Sequence, residues 1–162
     1  MEIELLTPKT VLVPAELFDR AQGAELLAAG GLAPTDGECV VCSASVRETV
    51  AVMALPAPAA ASVAERFGSR ASFTTPLLHG PETERPAVWL CRRGGLLYVR
   101  VYDPALQLAE VIPAAEDADV LYFIERLGAA FPLAEYVLHA AGDDAARLRR
   151  LLGKMFKESV CE

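Results

Sequence analysis

The apolar positions between Arg85 and Phe156 change period along the chain. Ala87–Cys91 is a short apolar run, and Leu96–Tyr102 is a second. In the second run Leu97, Val99 and Val101 alternate with Leu96, Tyr98, Arg100 and Tyr102. A period of two predicts strands with one buried face. Arg92-Arg93-Gly94-Gly95 joins the runs, and a glycine pair supplies the positive φ angles of a tight hairpin. Asp103-Pro104 turns the chain again, and Ala105–Ile112 reads as a third strand. Beyond Pro113 the period lengthens. Val120, Ile124, Leu127 and Phe131 fall on one face of a helix over Asp117–Ala130, with Glu116, Asp117 and Asp119 in its first turn, where the helix dipole favours negative charge. Tyr136–Ala141 reads as a fourth strand. Gly142-Asp143-Asp144 then opens a last helix, with the stripe Leu148, Leu151, Leu152, Met155 and Phe156. Asp143 and Asp144 are expected to cap it.

The first half mixes strands and helices in the same way. Ile3–Val13 reads as one strand bent near Pro8. Pro14 begins a helix that runs to Gly30-Gly31 and is weakened by Gly23. Glu38–Ala44 and Glu48–Leu55 are two strands around a short turn at Ser45-Val46-Arg47. Ala59–Phe67 is an alanine-rich helix, and Ala71–Leu78 a further strand. The polar segment His79–Pro86 is the best linker. It divides the chain into an N-terminal α/β half, residues 1–82, and a C-terminal half, residues 83–162.

Composition narrows the function classes. Hydrophobic residues make up 53% of the 162 positions and charged residues 23%, which excludes disorder. The net charge of −7 disfavours nonspecific binding to nucleic acid or anionic lipid. No apolar run reaches the roughly 20 residues of a membrane helix. The start Met1-Glu-Ile-Glu is acidic where a signal peptide is basic, so a cytoplasmic location is expected. Cys39-Val-Val-Cys42 has the spacing of a redox or zinc pair. However, residues three apart on a strand face opposite sides, and no second pair completes a site. The two read as small core residues, and no metal is expected.

The order strand-strand-strand-helix-strand-helix resembles the core of the actin, sugar-kinase and chaperone-ATPase superfamily, whose halves are ribonuclease-H-like. The segment Thr7-Pro-Lys-Thr-Val-Leu-Val-Pro14, followed by Ala15-Glu-Leu-Phe18, is similar to a signature of an uncharacterised bacterial family, domain of unknown function 3822. Asp119-Val-Leu-Tyr-Phe123 and Leu138-His-Ala-Ala-Gly142 are similar too. The resemblance implies an actin-like ATPase fold of two small ribonuclease-H-like halves, with mixed sheets, antiparallel hairpins and flanking helices. Members of that family begin with further strands, so the N-terminal half is expected to be truncated.

The resemblance also says where nucleotide chemistry would sit. In active members the first hairpin turn carries a metal-holding acid followed by glycines whose N–H groups reach phosphate. Here the turn is Cys91-Arg92-Arg93-Gly94-Gly95, with arginine in place of the acid. A glycine pair near the adenosine is reduced to Gly142, followed by two carboxylates. Arg92, Arg93, Gly94, Gly95 and Gly142 are therefore the candidate ligand residues for a nucleotide or phosphoryl group. The hairpin alone also accounts for the glycines. His79 and His139 stand alone, and no nucleophile motif is present. The basic run Arg147, Arg149, Arg150, Lys154 and Lys157 reads as a solvated helix face. The leading reading is a non-catalytic binding or scaffold module that needs no cofactor. Its partner is another protein or a second copy, which would meet an open sheet edge at Cys39–Ala44 or Glu48–Leu55.

Overall fold

Pro8 breaks the first apolar stretch into two strands that join different sheets, β1 (Glu2–Glu4) and β2 (Thr10–Pro14). This corrects the expectation of one bent strand. The computed structural model describes residues 1–162. They divide into the units Met1–His79 and Gly80–Glu162; the sequence had suggested a division at 82/83.

In the first unit, two single 3₁₀ turns follow Pro14, and helix α1 (Gly23–Ala29) begins at the glycine expected to lie in its middle. Strands β3 (Glu38–Cys42) and β4 (Thr49–Pro56) form a hairpin through Arg47 and Glu48, at φ 48° and 59°. Helix α2 (Ala57–Phe67) and the short strand β5 (Ser72–Thr74) complete the unit. The expected strand Ala71–Leu78 ends early, because Pro76–His79 turns into a buried 3₁₀ segment. β4 is central, antiparallel to β2 on one side and β3 on the other, while β5 pairs in parallel with β1. Glu48–Leu55 is therefore not a sheet edge, which corrects half of the edge expectation. Thr7 helps to pin this arrangement. Its Oγ1 donates to the Ala54 carbonyl at 2.9 Å, and the Ala54 N–H donates to the Lys9 carbonyl at 3.0 Å. Cys39 and Cys42 are free thiols and only half-buried, so the core reading of them holds in part; Cys42 packs beside Val52 and Leu27.

The second unit contains β6 (Ala87–Arg93), β7 (Leu96–Tyr102), β8 (Leu106–Pro113), α3 (Asp117–Ala130), β9 (Val137–Ala141), α4 (Ala145–Leu152) and β10 (Glu158–Cys161). Its sheet order is β10-β9-β6-β7-β8. β6, β7 and β8 pair antiparallel, and β9 joins β6 in parallel. β10 adds in parallel to β9, a strand that the sequence reading did not contain. α4 ends at Leu152 and Gly153–Met155 tightens to a 3₁₀ turn, so the last two residues of the expected stripe lie beyond it. Phe156 is still buried, from an extended position.

One face of this sheet makes the larger core. Val88, Leu90, Val99 and Leu138 cluster with Ile124 of α3 and Leu148 of α4, all six fully buried. Tyr136 enters the same cluster and donates through its hydroxyl to Asp103 at 2.8 Å. Burial, joined by that carboxylate, pushes the phenol up to about 12.

Ile124→Ala should cost about 2–5 kcal/mol, because it leaves a cavity between helix and sheet. Tyr122→Ala, two positions away and 63% exposed, should cost no more than about 0.5 kcal/mol. Urea unfolding midpoints measure both, and equal losses would contradict the assigned buried face.

Candidate functional site

The β6–β7 hairpin places the candidate residues. Gly94 and Gly95 have φ 58° and 73°, the left-handed pair that a two-residue turn between twisted strands requires. A Cβ at Gly95 would meet only Ala115, at 3.7 Å. Backbone conformation, not crowding, fixes glycine there. Gly142 lies one residue past β9 at φ 81°, and a Cβ there would come within 3.0 Å of Cys91 Sγ. Its glycine is thus explained by conformation and by close approach to β6.

Arg92 is the centre of the site. The register Cys91↔Ala141 of the parallel β6–β9 pair brings the end of β6 beside the chain leading into α4. The Arg92 side chain is 9% exposed, and its Nη2 lies 2.5 Å from Asp144 Oδ2 and 3.0 Å from Asp117 Oδ1. Nε also donates to Asp144, at 2.5 Å. Asp117 is the first residue of α3, and Asp144 is the N-cap position of α4. Arg147 of α4 closes the group, with Nε and Nη2 donating to Asp117 Oδ2 at 3.1 and 3.0 Å. Two arginines and two carboxylates therefore join one hairpin to the starts of two helices.

The electrostatics follow from this arrangement. Burial works against the charge on Arg92, but hydrogen bonds to Asp117 and Asp144 outweigh it and hold the guanidinium pKa above its usual range. The hydrogen bond from Arg92 holds Asp117 below the ordinary 3.8 against partial desolvation, with Arg147 acting in the same direction. Asp144 does not cap α4 with its side chain; its carboxylate accepts from Arg92 instead. This corrects the capping expectation for Asp144. Nη1 of Arg92 is buried with no partner, so the cluster leaves one donor unmatched.

The structure brings Arg92 and Gly94-Gly95 to one end of the sheet, with Gly142 at the adjacent end of β9. Arg93 follows on β6 and is exposed. The sequence reading did not pair Asp117, Asp144 and Arg147 with Arg92. The available signal was an arginine at a strand end together with acids at two helix starts, which needs the strand order to be interpreted. His139 pairs with Glu162 at 2.9 Å. Arg149 of the basic run donates to Ser159 at 3.1 Å. No three His, Cys, Asp or Glu side chains are arranged to hold a metal ion, and no helix is long and apolar enough to cross a membrane.

Arg92→Gln should lower the melting temperature at neutral pH, since it leaves two carboxylates together near a sheet end. The acid limb tests the cause. Because the folded Asp117 pKa is depressed, its contribution is present above 3.8 and is lost as pH falls through the folded value. Wild type should therefore lose stability more steeply with acid below pH 3.8 than Arg92→Gln does. Parallel acid limbs would contradict the ion-pair assignment.

No family model matches the chain, and no curated protein matches it. Among solved structures, a protein of unknown function with an actin-like ATPase fold from Bacteroides thetaiotaomicron superposes with a TM-score of 0.77 at 16% identity. The match covers 99% of this chain and 67% of that one. Pelota from Archaeoglobus fulgidus aligns over 73% of this chain and 36% of its own, at 12% identity and a TM-score of 0.32, too low to bear on the fold. The chain has an actin-like ATPase fold.

Proposed function

We propose that this chain is a non-catalytic binding or scaffold module built on an actin-like ATPase fold, and that it belongs with the bacterial family domain of unknown function 3822. The observation that carries the functional reading is the commitment of Arg92 to Asp117 and Asp144. In an active member of the superfamily the resembling hairpin would present an acid to a metal ion. Here it presents a cation already matched by two internal carboxylates. An incoming phosphoryl group would compete with Asp117 and Asp144 for the guanidinium and would approach both negative charges. Gly142 supports the same reading, because contact with Cys91 accounts for it without a nucleotide.

Thermal unfolding with and without ATP and Mg²⁺ tests the proposal. A ligand at 100 times its dissociation constant stabilises the native state by about 2.7 kcal/mol, a shift that is easily measured. The expected shift is none. A saturable rise in melting temperature that Arg92→Ala removes would establish instead a phosphoryl-ligand site at Arg92, Arg93, Gly94 and Gly95.

A further inference from the structure

The sheet edge expected at Cys39–Ala44 is bordered by β5 through the Ser43–Phe73 bridge. An edge with no such neighbour is β10, the outer member of the order β10-β9-β6-β7-β8. The Glu162 N–H donates to the Ala140 carbonyl at 2.8 Å, and Cys161 is the register partner of Ala140 in the parallel β9–β10 pair. On a parallel ladder the bonds of Ala140 therefore go to the residues on either side of Cys161. The N–H and C=O of Cys161 point outward, away from β9, and by the same alternation so do those of Ser159. The side chains of Ser159 and Cys161 line a cavity of about 310 Å³ with Ala146, Arg149 and Arg150 of α4. Arg149 donates to the Ser159 hydroxyl at 3.1 Å. Arg150 is exposed and has no ion pair within the chain. No acid lines the cavity. Glu158 falls on the other face of the strand by alternation, and Glu162 is held by His139. In a chain of net charge −7, cations here meet an open backbone with no carboxylate between them.

We propose that β10 is a docking edge for an acidic segment of a partner protein, which adds to it as an extended strand and seats a carboxylate between Arg149 and Arg150. Backbone and charge together identify the occupant. The outward groups of Ser159 and Cys161 are donors and acceptors in alternation, which another peptide backbone matches and a free anion does not. The arginines select carboxylate side chains on that backbone. A second copy is disfavoured, because antiparallel pairing of two β10 strands would set the arginines of both copies on one face of the joint. The inference rests on the binding-module reading and gives it a partner class. The two fail separately, since nucleotide at the hairpin would move the Gly94 and Gly95 amides and leave those of Ser159 and Cys161 in place.

Fluorescence anisotropy with a labelled hexapeptide of alternating glutamate and valine tests it, with glutamine in place of glutamate as the control. The acidic peptide should bind saturably and the glutamine peptide should not. Arg150→Glu should weaken binding by about tenfold or more. Arg126→Glu makes the same charge change on α3 beside β8, at the other edge of the sheet, and should leave binding unchanged. Cys161→Pro removes an outward N–H and none that bonds β9, a position where an edge strand tolerates proline. It should weaken binding to the same degree, and Cys161→Ala should not. Circular dichroism checks that each variant is folded. If Cys161→Pro is not, slowed hydrogen exchange at the Ser159 and Cys161 amides on peptide addition decides the edge contact. No binding at high micromolar protein overturns the proposal. So does binding that Arg150→Glu leaves unchanged, or binding with both amides still exchanging freely. Movement of these amides by inorganic phosphate without peptide binding would assign a small-anion site, and their protection by rising protein concentration alone would assign a second copy; either result overturns it as well.

Discussion

A guanidinium that is 9% exposed needs its charge balanced where it sits, and the second unit is arranged to do this for Arg92. Leaving such a group unpaired is costly, so the helix starts at Asp117 and Asp144 are tied to the hairpin that carries it. The apolar core beneath would hold α3 and α4 against the sheet in any case, because Ile124, Leu148 and Leu152 are fully buried. What the ion pairs add is register. They fix the first turn of each helix relative to the end of β6, and Arg147 links the two helices through Asp117.

This constraint connects the architecture to the proposed loss of catalysis. A parallel pair such as β6–β9 brings two chain ends to one side of a sheet, a common place for a ligand in α/β proteins. In this chain that place is taken by its own side chains. Asp117 and Asp144 are bound to arginine, and Gly95 and Gly142 are explained by turn geometry and by the close approach of Cys91. Nη1 of Arg92 is buried without a hydrogen-bond partner, so the two carboxylates do not satisfy every donor of the guanidinium. That atom is buried, so it offers no open point of attachment to a ligand.

The second half was legible in sequence wherever a period was long enough to read. The alternation of Leu97, Val99 and Val101, the glycine pair and the spacing of Val120, Ile124 and Leu127 each reported one local choice, and each matches the observed element. β10 was not legible. Ser159 and Val160 give too short a pattern, and the stripe through Met155 and Phe156 continued a helical period past the point where Gly153 ends it. In the first unit, Glu48–Leu55 looked like an edge because little charge guards it, yet unguarded apolar strands are also what central positions require, and β4 is central. The site was half legible. Arg92 and the glycines stood out from the hairpin, but their partners lie 25 and 52 residues away, and only the strand order brings them together.

The central proposal is that Arg92, matched by Asp117 and Asp144, leaves the hairpin without affinity for phosphate. Backbone amide NMR at Gly94 and Gly95 during titration with ATP and Mg²⁺ tests it at the atoms concerned. The account predicts that both resonances stay in place as nucleotide is added to millimolar excess. Saturable movement of Gly94 and Gly95, accompanied by release of Asp117 toward its ordinary carboxylate pKa, would contradict it.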